Sequence, residues 1–166
     1  NKGKQLFVGK ENWTVPVYSS GEGYIGSEIK YQQTRKYTLN TPFVFTSGPD
    51  ATIETRIFGT SNNLHKTSLL IEDNLINDTS FNKYNGVEIK KRFSASLLTI
   101  NTIVSYKNQL TNNTGVDITA VSFTKITYPR TFNFGNQSEM WFQIPANNSA
   151  KDFVVIENFN PNNSTV

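Results

Sequence analysis

The chain of 166 residues contains no cysteine, one histidine and one methionine. Without a thiol there is no disulfide framework and no cysteine nucleophile, and a zinc site built from several Cys or His ligands is ruled out as well. A Ser/His/Asp arrangement would have to use His65, which lies in the polar stretch Ser61–Thr67, and no serine stands in a G-x-S-x-G elbow. His65 therefore reads as an ordinary exposed turn residue. Charge is also scarce, at 17% of residues, with 16 Lys and Arg against 13 Asp and Glu. The basic excess is scattered except at Lys90–Lys91–Arg92, which reads as a solvated strand rim, so no nucleic-acid partner is expected. No apolar run approaches the length of roughly 18 residues that a membrane-spanning helix requires. Asn1 to Lys10 is polar and basic, without the apolar centre of a signal peptide, and there is no initiator Met. The chain thus reads as a mature or excised fragment.

What is abundant is aromatic and hydroxylated. Aromatics make up 13% of the chain, with 12 Phe and 7 Tyr, and Thr, Ser and Asn are plentiful where Ala and Leu are sparse. This balance disfavours helices and suits strands joined by polar turns. Strand-like runs occupy Trp13–Tyr18, Glu28–Leu39, Thr52–Gly59, Thr67–Glu72, Val87–Leu98, Thr102–Lys107, Ile118–Tyr128, Met140–Ile144 and Asp152–Asn158. Turn clusters separate them, among them Ser47–Asp50, Asn82–Gly86 and Asn133–Gln137, and Asn85–Gly86 suits a tight turn with positive φ. Within Thr52–Gly59 the period of two puts Ile53, Thr55 and Ile57 on one face and Glu54, Arg56 and Phe58 on the other. No run has the helical period of 3.6 residues. The expected fold is all-β, a jelly-roll-like sandwich of about eight or nine strands. Residues 1–160 are expected to form a single domain, with 161–166 a linker-like tail toward a possible following domain. Phe58, Phe93, Phe123 and Ile126 are the expected core.

The most distinctive stretch is Val121–Phe134, VSFTKITYPRTFNF, a β-branched and aromatic run closed by Pro129, which removes a ladder N–H. Arg130 follows at the strand end, where its cation can pair with an acid such as Glu139. With GEGYIGSEI (Gly21–Ile29), YTLNTPF (Tyr37–Phe43), TIETRIFGTSNN (Thr52–Asn63) and MWFQIPANNSAKDFVVIENFN (Met140–Asn160), this segment resembles the N-terminal β-domain of the PorU-type signal peptidases of the type IX secretion pathway, gingipain-family proteases of Bacteroidetes. The order and spacing of the pieces carry the resemblance. Family members often have an acid in the strand before the Tyr, where Ser122 and Thr124 stand here. The resemblance implies a non-catalytic accessory domain for scaffolding or partner docking, located outside the cytoplasm, on the outer-membrane surface or secreted. It implies a parent that is a cysteine peptidase, with the following peptidase domain and an outer-membrane secretion partner as companions. On this reading Tyr128, Arg130 and Trp141 form the face toward the neighbouring domain.

The alternative is a carbohydrate-binding module of a bacterial surface or secreted protein. Sugar-binding sandwiches stack flat aromatic rings on pyranoses and add amide or charged hydrogen-bond partners. Trp13, Tyr18, Tyr24, Tyr31 and Trp141 are the candidate ligand-binding residues, with Glu11, Asn12 and Gln32 interleaved. No catalytic residue, cofactor or metal ligand is assigned. The densest acidic patch, Glu72–Asp73 with Asp78, fits no calcium-loop spacing and reads as a solvated hairpin turn.

Overall fold

The computed structural model describes residues 2–8, 13–14, 24–109, 117–142 and 153–161, with backbone alone for 2–8, 13–14 and 24. The described strands are β1 (Lys2–Val8), β2 (Trp13–Thr14), β3 (Tyr24–Ile25), β4 (Ile29–Lys30), β5 (Thr34–Asn40), β6 (Ala51–Gly59), β7 (Leu64–Ile71), β8 (Asn74–Asn82), β9 (Gly86–Phe93), β10 (Asn101–Gln109) and β11 (Ile118–Pro129). One sheet runs β1-β11-β6-β9 and a second runs β5-β10-β7-β8, all neighbours antiparallel. β4 extends the flank of β11 that β1 occupies, and β2 with β3 forms a separate ribbon.

The eight long strands pair first with last, second with seventh, third with sixth and fourth with fifth. That is a long antiparallel ribbon rolled into two layers, the connectivity of a jelly roll. The expected all-β sandwich is the fold observed. Its core is the alternate residues of both sheets: Ile53 and Ile57 of β6, Val121, Ile126 and Tyr128 of β11, Leu69 and Ile71 of β7, and Val104 and Tyr106 of β10. Ile53, Thr55 and Ile57 share the inner face as their spacing requires. Thr55 and Thr124 also point inward, and their hydroxyls find partners there. Tyr106 Oη sits 2.7 Å from Thr55 Oγ1 and 2.6 Å from Thr124 Oγ1, while Thr55 donates to the Phe123 carbonyl at 2.6 Å.

The differences from the sequence reading have local causes. β8 was not expected as a strand, and β1 was not either. Both lie at sheet edges, and the exposed pattern of β8 leaves no clean apolar alternation to read. Glu72 and Asp73, read as a hairpin turn, do form one: both have positive φ, 47° and 61°, as a tight two-residue hairpin demands. Asp78 instead lies on β8 and accepts a hydrogen bond from Ser68. The run Glu28–Leu39 is broken by a turn at Tyr31–Gln33, and Val87–Leu98 ends as strand at Phe93, where Ser94 caps a single 3-10 turn, Ala95–Leu97. Of the two late runs, residues 140–142 and 153–156 are not strand, Glu157 makes one bridge to Asn133, and 143–152 lie outside the described residues.

Phe58, Phe93 and Ile126 are buried, but Phe123 is half-buried on the outer face. The pairing of β11 with β6 shifts between Val121 and Phe123. With Ser122 as the extra residue, Val121 faces inward on one side and Thr124, Ile126 and Tyr128 on the other, so Phe123 turns outward. Phe58 is buried for a different reason. It also lies on the outer face, in a small second cluster with Ile25 of β3 and Ala120. At the turn after β8, positive φ falls on Lys83, at 54°, and Gly86 belongs to β9. Gly86 is required by closeness: a Cβ there would enter the Phe58 ring.

Lys90–Lys91–Arg92 lies on the edge strand β9, exposed as expected, with Lys90 Nζ 3.1 Å from Glu54 and Arg92 Nε 3.7 Å from Asp50. Hydrogen bonds from Lys125 first, and then from Lys90, hold the Glu54 carboxyl below the usual range. A depressed carboxylate adds stability above its unfolded pKa and loses it as the pH falls through the lower folded value. Glu54→Gln is therefore expected to cost less than about 1 kcal/mol at neutral pH and less in high salt, because the site is open to solvent. Urea midpoints between neutral pH and pH ~3 check this: the gap between wild type and variant should close toward acid.

Candidate docking end

At the end of β11 the pairing passes into loops. Phe45 N donates to Pro129 O at 2.9 Å, Val44 bridges to Arg130, and Thr131 N donates to Phe43 O at 2.9 Å. The Arg130 guanidinium stacks over the Phe43 ring, 4.8 Å from its centroid, and donates to the Asn133 carbonyl at 3.0 Å. The expected pairing with Glu139 is replaced by these contacts, because the loop folds Asn133 and Phe43 onto the cation. Tyr128 is buried and its hydroxyl donates to Pro42 O at 3.3 Å. Burial raises its pKa, against a smaller lowering by Arg130.

Beyond Arg130 the chain turns at Gly135 and Asn136, both at positive φ, 59° and 64°. The segment 153–161 clasps this turn. Phe134 N donates to Glu157 O at 2.9 Å, Glu157 N to Phe132 O at 3.2 Å, Asn136 N to Asn158 O at 2.8 Å and Asn160 N to Gln137 O at 3.1 Å. Edge-to-face ring pairs, Phe132 with Phe142 and Phe134 with Phe159, add apolar contact. Large apolar side chains of these segments stand in water: Trp141 is 87% exposed and Phe153 90%, with Phe45, Val155, Ile156 and Phe159 also exposed. Of the interdomain residues read from sequence, Arg130 and Trp141 reach this end at the surface, while Tyr128 anchors it from inside.

Of the candidate sugar-binding aromatics, Tyr31 and Trp141 have described side chains, and these two lie apart. Tyr31 is half-buried in the turn after β4, whose Lys30 pairs with Ile118 at the start of β11. Trp141 lies past the far end of that twelve-residue strand. The backbones of Trp13 and Tyr24 lie in the β2–β3 ribbon, their side chains outside the description, and Tyr18 is outside the described residues.

His65 is the main correction to the sequence reading. It is fully buried, on β7, with Nδ1 paired to Asp117 Oδ1 and Nε2 facing the carbonyls of Lys83 at 2.8 Å and Ser61 at 3.2 Å. The alternation His65, Thr67, Leu69, Ile71 places it inward, a signal that the sequence holds. Both ring nitrogens are taken and no substrate can reach them, so His and Asp here form a structural brace. Asn108 extends it, its amide donating to Ile29 O at 3.0 Å and Asp117 O at 3.1 Å. Among the described residues no group of three or more His, Cys, Asp or Glu side chains could hold a metal ion. Nor is any described helix long and apolar enough to cross a membrane.

No family model matches the chain, and no curated protein matches it. Solved structures do. The crystal structure of dimeric latent PorU from Porphyromonas gingivalis is similar over 80% of this chain, at 12% identity and a TM-score of 0.56. This chain spans 13% of that protein's length. The CBM36-1 domain of a multidomain xylanase from the hindgut metagenome of Trinervitermes trinervoides is similar over 76% of this chain and 96% of its own, at 13% identity and a TM-score of 0.47. A family 35 carbohydrate-binding module from an environmental isolate is similar over 75% and 96%, at 14% identity and a TM-score of 0.48. At such identities the likeness concerns the fold alone.

Proposed function

We propose that this sandwich is a non-catalytic docking domain, outside the cytoplasm, of a protein resembling the type IX secretion signal peptidases. The end bearing Arg130 and Trp141 is the face that packs on a neighbouring peptidase domain or secretion partner. The observation that carries this is the exposed apolar set of Phe45, Trp141, Phe153, Val155, Ile156 and Phe159, at one end of the sandwich. The segment 157–160, next to three of them, is tied by backbone hydrogen bonds to residues 132–137. Large apolar surface left exposed in this way marks a contact site. The likeness to part of the much longer PorU chain supports a domain that works inside a larger protein. A buried, fully bonded His65 and the lack of any thiol support a non-catalytic role.

The test is photocrosslinking in the natural protein in its own cells, with a benzophenone amino acid at Trp141 and, as control, at Leu75 on the edge strand β8. Crosslinks from position 141 to another part of the same polypeptide or to a secretion protein are expected. Equal yields at both positions would overturn the proposal, and crosslinks only to a second copy would make the face a self-association surface instead. Trp141→Ser combined with Phe153→Ser should abolish the crosslinked partner's copurification yet change stability by less than about 0.5 kcal/mol per site, since both side chains lie in solvent.

A further inference from the structure

Away from the docking end, a groove of about 580 Å³ opens where β8 passes into β9, beside the outer-face residues Arg56 and Phe58 of β6. Its walls include Arg56, Phe58, Asn82, Tyr84, Asn85 and Gly86. We infer that this groove is a binding site for a pyranose ring, stacked on Tyr84 and hydrogen-bonded by Asn82, Asn85 and Arg56.

The groove has the chemistry of that ligand. Tyr84 is 65% exposed, a flat ring that presents CH-binding surface to solvent. Asn82 and Asn85 flank it, and no hydrogen bond among the described residues engages either side-chain amide. Each amide offers both a donor and an acceptor, as neighbouring sugar hydroxyls require. The Arg56 guanidinium is pinned by Glu88 at 2.6 Å and lies 4.9 Å over the Phe58 ring, while its Nε has no acceptor among the described residues. Because Glu88 balances Arg56, the groove presents donors without a net charge, which selects a polyhydroxylated ligand over a strongly ionic one. A stacked base would prefer a slot between two rings; here Arg56 covers Phe58 and one ring is open.

The turn that carries Tyr84 is also built in advance. Lys83 N donates to Asn63 O at 2.7 Å, Lys83 O accepts from the buried His65 at 2.8 Å, and Asn85 O accepts from Gly59 N at 3.1 Å. Gly59 has no room for a Cβ, which would strike the Lys83 carbonyl and the His65 ring. A loop fixed from three directions loses little freedom when a ligand binds, which favours affinity from few contacts. The His65–Asp117 brace thus anchors the turn that carries Tyr84, through the Lys83 carbonyl.

The experiment is an amide-shift titration of the whole ¹⁵N-labelled chain with the methyl glycosides of β-glucose, β-galactose, β-xylose and α-mannose, and with adenosine. Saturable shifts at Tyr84, Asn85 and Gly86 with at least one sugar are expected. Tyr84→Ala should weaken that binding about tenfold or more, Asn82→Ala should weaken it less, and Trp141→Ala should leave it unchanged. The spectra themselves report whether each variant is folded. No shift with any sugar, unchanged binding in both Tyr84→Ala and Asn82→Ala, loss only in Trp141→Ala, or response to adenosine alone would each overturn the inference. Because Trp141 belongs to the docking end, the outcome here is separate from that of the crosslinking test.

Discussion

His65→Ala should destabilise the protein by about 3–5 kcal/mol, the cost of leaving a buried charge without its partner. Asp117 would keep one oxygen without its histidine, and its other oxygen already lacks a partner among the described residues. The Lys83 and Ser61 carbonyls would lose their donor as well. With typical domain stabilities of about 5–15 kcal/mol, such a loss is a large share of the whole. Urea unfolding followed by fluorescence measures it. A loss below about 1 kcal/mol would mean that the brace is open to water and that the site is not closed as described. Asp117→Asn removes the charge together with part of the pairing and should cost less than His65→Ala.

The second large effect is expected at Tyr106, at the centre of the sandwich. Its ring is fully buried between the sheets, edge-on to Tyr37 with centroids 5.9 Å apart. Tyr106→Ala should cost about 3–5 kcal/mol, because the rigid layers cannot close over the void. Tyr106→Phe isolates the hydroxyl: Thr124 loses its partner at 2.6 Å and keeps only the 3.4 Å contact with Thr55, while Thr55 keeps its bond to the Phe123 carbonyl, so a loss of about 1–2 kcal/mol is expected. Burial pushes the Tyr106 pKa far above the ordinary tyrosine value, against smaller lowering by the Thr124 and Thr55 hydrogen bonds. An unfolded chain loses that proton near pH ~10 and the folded chain keeps it. Stability from this group is therefore complete below pH ~10 and falls as the pH rises toward the folded value. Ultraviolet titration should show Tyr106 ionising only when the chain unfolds, and Tyr106→Phe should shrink that step by one tyrosine. Smooth ionisation of every tyrosine in folded protein would contradict the buried hydroxyl.

Several features were legible because they are local. The alternation in Thr52–Gly59 is a property of neighbouring residues, and so β6 and its inner face could be read directly. Pro129 ends β11 because it lacks an N–H, whatever the rest of the chain does. The edge strands were harder, since β8 needs little apolar surface and its residues read as loop. The face of Phe123 is not legible locally, because it depends on the register shift beside Ser122, which arises only when β11 pairs with β6. His65 reads as a turn residue from its polar neighbours, and only its two-residue period with Leu69 and Ile71 points inward.

Residue types and their spacing along the chain were enough to exclude thiol and multi-histidine metal chemistry, to favour strands over helices, and to place most of the strands. These follow from side-chain type and from a two-residue period that acts over a few residues. Which distant groups meet is set by the packing of the two sheets. His65 and Asp117 are 52 positions apart, Thr55 and Tyr106 are 51 apart, and Arg130 and Phe43 meet across the same sandwich. Nothing local encodes those pairs, because they depend on how the ribbon rolls and on the register of every strand between them. The same rolling left Trp141 and Phe153 in water and opened the groove under Tyr84, so both candidate surfaces are consequences of packing.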